Sequence, residues 1–114
     1  MGILRWMRAA LHDDWCSKCC EPMDHEAKQL FFLPQRVGHY QKHEDVQYYL
    51  DNLVRVEKKA EIPTGYYACG AYVYYCPRCA RRVVKLVIFL PVRDEEMMED
   101  VYVFEDERLV KLVK

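Results

Sequence analysis

Six cysteines, at 16, 19, 20, 69, 76 and 79, carry the most chemistry in this chain, and four of them form two Cys-x-x-Cys pairs. These are Cys16-Ser17-Lys18-Cys19 and Cys76-Pro77-Arg78-Cys79. In a tight turn a two-residue gap aims both sulfurs at one point and lets backbone amides face them. Two pairs supply four soft thiolates, the set a tetrahedral ion takes, so Cys16, Cys19, Cys76 and Cys79 are the candidate ligands of a structural Zn2+. Iron uses the same four sulfurs and stays open here.

Other uses of paired cysteines predict different surroundings. A thiol-redox site sets its pair at a helix N-terminus, which lowers the first thiol's pKa. Here Val83 to Leu90 is rich in β-branched residues and closes on Pro91, which reads as a strand. A disulfide framework belongs to secreted chains, and no apolar stretch precedes a small-residue cleavage site. Reduced thiols and a cytoplasmic location are therefore expected. Cys20 and Cys69 exceed one tetrahedral site and read as small buried hydrophobes, with Cys20 also an alternate ligand. His12 and His25 lie near the first pair in sequence, while His39 and His43 fall in a polar loop.

The two pairs resemble the knuckles of zinc ribbons, C-P-x-C-G turns at the bends of short β-hairpins. Cys76-Pro77-Arg78-Cys79 lies between Tyr72-Val73-Tyr74-Tyr75 and the Val83 to Leu90 run, and the first pair is similar to the variant C-x-x-C-G-x-x-M through Cys20-Glu21-Pro22-Met23. The resemblance covers residues 15–24 and 66–91 and implies a zinc-holding hairpin pair. Where ribbons favour glycine, because the turn tends to need positive φ, this chain has Cys20 and Ala80. The 56 residues from Cys20 to Tyr75 must leave and return between the knuckles.

The elements that position these turns follow from periodicity. Ile3, Leu4, Met7, Ala10 and Leu11 fall at helical spacing with Arg5 and Arg8 off that face, so residues 1–14 predict an N-terminal helix packed on the domain. An interfacial membrane anchor is the alternative use of such a stripe. Lys28 to Pro34 reads as a strand, 35–42 as loop, and 44–59 as an amphipathic helix with Val46, Tyr49, Leu50, Leu53 and Val54 on its apolar face. Ile62-Pro63-Thr64-Gly65 reads as a turn. Tyr66 to Cys76 and Val83 to Leu90 form the ribbon hairpin, with a bulge expected at Cys69-Gly70. In the tail, 94–100 reads as a helical turn, and 101–104 with 109–113 as an antiparallel hairpin. The sum is a single α+β domain over 1–114: N-terminal helix 1–14, first knuckle 15–24, inserted strand and helix 25–65, ribbon hairpin 66–91 and acidic β tail 92–114.

Composition bounds the function. The chain has 114 residues, 52% hydrophobic, and no apolar run long enough to span a membrane. Its net charge of −1 removes the overall positive field that drives non-specific nucleic-acid binding, and residues 93–114 alone carry −4. A local basic patch of Arg78, Arg81, Arg82 and Lys85, of which Arg78, Arg81 and Lys85 are expected to project to solvent, lies beside tyrosines 66, 67, 72, 74 and 75 and is the candidate nucleic-acid contact. The aromatic content of 13% also suits a protein partner or a homo-oligomer. No H-E-x-x-H, G-x-S-x-G, deaminase or phosphate-loop pattern occurs, so a non-enzymatic binding module is expected.

Overall fold

A computed structural model describes residues 15–16, 18–91 and 96–114. The expected N-terminal helix lies outside the described residues. Strands β1 (Trp15–Cys16) and β2 (Glu21–Pro22) form a small antiparallel hairpin. A five-stranded antiparallel sheet follows, built of β3 (Asp24–Arg36), β4 (Val54–Val56), β5 (Tyr66–Tyr75), β6 (Arg82–Pro91) and β7 (Glu96–Phe104) in the order β4-β3-β5-β6-β7. Among the described residues two seven-residue α-helices, α1 (Val46–Asn52) and α2 (Glu107–Val113), accompany the sheet in an α+β architecture. Among the described residues no helix is long and apolar enough to cross a membrane.

Alternation along the strands divides the sheet into two faces. On one, Phe31, Leu33, Cys69, Val73, Val84, Leu86 and Ile88 meet Tyr49 of α1 and Leu109, Val110 and Val113 of α2, which forms the main core. The opposite face carries Leu30, Phe32, Ala68, Tyr72, Val87 and Phe89, with Ile62 over one end.

The inserted helix is shorter than its periodicity suggests. Asp45 caps α1 by accepting a hydrogen bond from the Gln47 amide at 3.1 Å, and the helix ends at Asn52 with Leu53 extended. The reason is tertiary: Val54-Arg55-Val56 has strand alternation, and Leu30–Phe32 of β3 offers a free edge that it joins as β4. Gln29 Nε2 fastens that edge by donating to the Val56 carbonyl at 2.8 Å. Tyr49 is the buried member of α1, whereas Val46, Leu50 and Leu53 are half-buried against the core.

Three more expectations need correction. β3 runs well past both ends of the expected Lys28 to Pro34 strand, and it absorbs Pro34, which has no N–H to donate, by a register shift between Leu33 and Arg36. The Cys69-Gly70 step pairs regularly on both sides, and Gly70 serves packing instead. A Cβ there would lie 3.3 Å from the Tyr72 ring, which folds across it. In the tail, residues 97–100 are strand, because β7 gains a full ladder with β6, and 109–113 are helix. Asp106 starts that helix by accepting from the Arg108 amide at 2.8 Å, and Leu109, Val110 and Val113 then share one face.

Candidate metal centre

Each Cys-x-x-Cys pair sits in the bend of a β-hairpin, and the two bends share one geometry. In the first, Cys16 pairs with Glu21 across β1 and β2, and the Cys20 amide donates to the Cys16 carbonyl at 2.8 Å. In the second, Tyr75 pairs with Arg82, the Cys76 amide donates to the Arg81 carbonyl at 2.8 Å, and the Ala80 amide donates to the Cys76 carbonyl at 2.9 Å. The residue after each pair is left-handed, with φ of 52° at Cys20 and 61° at Ala80. The turn thus imposes its conformation although neither residue is glycine. Ala80→Gly is expected to raise stability by about 0.5–1 kcal/mol, because relief of roughly 1–2 kcal/mol of left-handed strain outweighs glycine's extra unfolded freedom. Urea midpoints of metal-loaded protein check this, and a loss of stability would contradict it.

The fold brings both knuckles together. The sulfurs of Cys16, Cys19, Cys76 and Cys79 all lie within 4.8 Å of one another, and Cys16 Sγ to Cys79 Sγ is 3.7 Å. A tetrahedron of sulfurs about 2.3 Å from a central ion has edges of about 3.8 Å, so the four thiols fit a single ion. All six cysteines are free of disulfides. Among the described residues this is the sole grouping of cysteine, histidine and carboxylate side chains able to hold a metal ion.

The electrostatics favour thiolate character at the first ligand. The Cys19 backbone amide faces the Cys16 sulfur and, against the opposing effect of burial, draws its pKa down to about 6. Burial, followed by hydrogen bonds to the other three sulfurs, pushes Cys19 up to about 12. The cluster therefore retains protons on some sulfurs while ionising others, and a bound cation would displace those that remain. The Arg81 guanidinium lies between Glu105 and Cys16, a cation beside sulfurs that would carry net negative charge around a divalent ion.

The surplus thiols divide. Cys69 is fully buried in the main core, and burial raises its pKa well above the ordinary range, so it is a small apolar core residue. Cys20 is exposed and outside the four-sulfur group, contrary to the expected buried hydrophobe, because the left-handed turn points it outward. His25 packs against Tyr72 and Tyr74, and His43 stacks on Tyr48 at 3.6 Å. His12 lies outside the described residues.

The basic patch is largely neutralised. Arg78, 66% exposed, pairs with Glu21 at 2.7 Å, Arg81 with Glu105 at 2.6 Å, and Arg82 with Glu26 at 2.8 Å while lying over the Tyr75 ring. Lys85 is 1% exposed, with its ammonium 5.7 Å from the Tyr74 ring centre, so its expected projection to solvent is wrong. Lys85 sits in the middle of a central strand, where both faces are buried. The tyrosines do not form an open platform either, since Tyr67 and Tyr74 are buried. The glutamate partners come from 24 to 57 positions away, so no local pattern could have revealed them.

Glu26 also accepts from Lys114 at 2.6 Å, and its pKa falls to about 2 through the Arg82 hydrogen bonds first and Lys114 next. A carboxyl so lowered adds stability above its ordinary value of 4.5 and loses it as pH falls toward 2. Glu26→Gln is expected to cost about 1–2 kcal/mol near neutral pH, a figure reduced for partial exposure. The gap from the parent protein should close in acid, as the parent's Glu26 becomes protonated. A gap independent of pH would refute the ionic role.

Comparison with protein-family models, with curated proteins and with solved structures found no match.

Proposed function

We propose that the protein is a small binding module whose fold is closed by one structural zinc ion on Cys16, Cys19, Cys76 and Cys79. The observation that carries this reading is the convergence of four sulfurs from two like knuckles, with a 3.7 Å edge suited to a tetrahedral ion. Zinc is favoured over iron because the site's task here is to join distant segments, which needs no redox change. A four-thiolate site leaves no open position for water, so the proposed role is not catalytic. The redox alternative loses support because neither pair opens a helix: β6 follows the second, and β2 then β3 follow the first.

The binding role is read toward protein. The arginines near the knuckles are held by glutamates, Lys85 is buried, and the exposed large apolar side chains Trp15, Met98 and Val103 suit a protein partner or a second copy of the chain. Reduced thiols fit a cytoplasmic setting. X-ray absorption at the zinc edge tests the closed site. Four sulfurs at about 2.3 Å and no lighter ligand are expected. A three-sulfur shell with an oxygen or nitrogen would contradict a purely structural ion. Sedimentation at two concentrations separates the self-associating form of the module from one that binds a different protein.

A further inference from the structure

The sheet face opposite the helices lacks a side chain in the middle of one of its cross-strand rows. Leu30 of β3 pairs with Gly70 of β5, which pairs with Val87 of β6, so a glycine interrupts a run of apolar residues on that face. The Tyr72 ring folds against Gly70, 3.3 Å from where a Cβ would stand, yet a hollow of about 380 Å3 remains beside it. Leu30, Gly70, Tyr72 and Phe89 give it apolar walls. The volume falls at the lower end of the roughly 300–1,000 Å3 typical of sites for small organic ligands. Two aromatic rings in the wall suit a flat apolar body.

The rim of the hollow is charged. Lys28 stands on it, paired across β3 and β5 with Tyr72. Lys59 enters from the short helical turn after β4, its ammonium 5.8 Å from the Phe89 ring centre. Glu57 lies at the same rim, with the Arg55 guanidinium 3.8 Å from its carboxylate. Lys28 is exposed and has no hydrogen-bond or ion-pair partner among the described residues. Two ammonium groups against one carboxylate attract a ligand with a single negative charge, whereas a dianion would meet stronger repulsion from Glu57.

We propose that this hollow binds a small aromatic carboxylate, its rings against Gly70, Tyr72 and Phe89 and its carboxylate at Lys28 and Lys59. Gly70 then has a use beyond its packing with Tyr72, since it leaves the space that the ligand fills. The site is separate from the metal centre, because Gly70 lies six residues, about 20 Å along the strand direction, before Cys76. Binding there stands or falls independently of the ion.

Naphthoate and its neutral counterpart naphthamide, each titrated into the metal-loaded full chain and followed by amide NMR, test this. Naphthoate should give saturable shifts centred on Leu30, Gly70, Tyr72 and Phe89, with roughly fivefold higher affinity than naphthamide. Added salt should erode that preference. Lys28→Gln, a change at an exposed position, should remove most of it while leaving naphthamide binding as it was. An absence of saturable shifts at millimolar naphthoate would overturn the proposal, as would shifts centred elsewhere on the protein. Equal affinities for the carboxylate and the amide, or a preference untouched by Lys28→Gln, would overturn it as well.

Discussion

Cys76→Ser is expected to lower bound metal from one ion per chain to nearly none and to free the first knuckle from the sheet. Cys76 is buried at the end of β5, where its sulfur meets those of Cys16, Cys19 and Cys79. The β1–β2 hairpin is only two residues deep on each side, too little to hold itself in place. Among the described residues its attachment rests on the sulfurs, on a small cluster of Met23 with Tyr74 and Val83, on the exposed Arg78–Glu21 ion pair and on Arg81 beside Cys16. Structural zinc provides on the order of 10–16 kcal/mol of apparent binding free energy in small peptides. Here the five-stranded sheet and its helical core should survive the loss, so the defect should concentrate in residues 15–24. Hydrogen exchange and proteolysis at Lys18 read that release directly. Two controls sharpen the contrast. Cys69→Ser should keep the metal while costing about 1–3 kcal/mol, because it buries a hydroxyl in the main core. Cys20→Ser should keep both metal and stability, since that thiol is exposed.

Phe31→Ala should produce the largest loss of stability without touching the metal, roughly 3–5 kcal/mol. The ring is fully buried on the helical face of β3, opposite Cys69. Leu50→Ala, at a half-buried position of α1, should cost clearly less, about 1–2 kcal/mol. Urea unfolding of both variants checks the ranking. Equal losses would mean that α1 carries as much of the core as the sheet does.

The candidate site was legible in the sequence because its information is local. Two-residue gaps, a flanking aromatic run and a β-branched run fix both knuckles, and even the positive φ at Cys20 and Ala80 follows from the turn. The α+β class and the β5–β6 hairpin were legible for the same reason. What failed depended on distant partners. Residues 53–59 have a helical pattern, yet Val54 to Val56 meets an open edge of β3 and becomes strand. Leu109 to Val113 reads equally well as a short strand, and only Asp106 as a cap and a sheet face awaiting cover make it a helix. Arg78, Arg81 and Arg82 cluster in sequence as a basic patch, but the chain returns Glu21, Glu105 and Glu26 to them from far away. Lys85 shows the same limit, since strand alternation identifies its face but not what lies over it.

The central claim is that four cysteines from two distant knuckles share one ion. Native mass spectrometry of the protein purified without added metal, paired with elemental analysis and a denaturing mass, tests it most directly. The account predicts one zinc per chain in the native mass and a denatured mass with all six thiols reduced. A folded, metal-free chain with disulfides among Cys16, Cys19, Cys76 and Cys79 would contradict it.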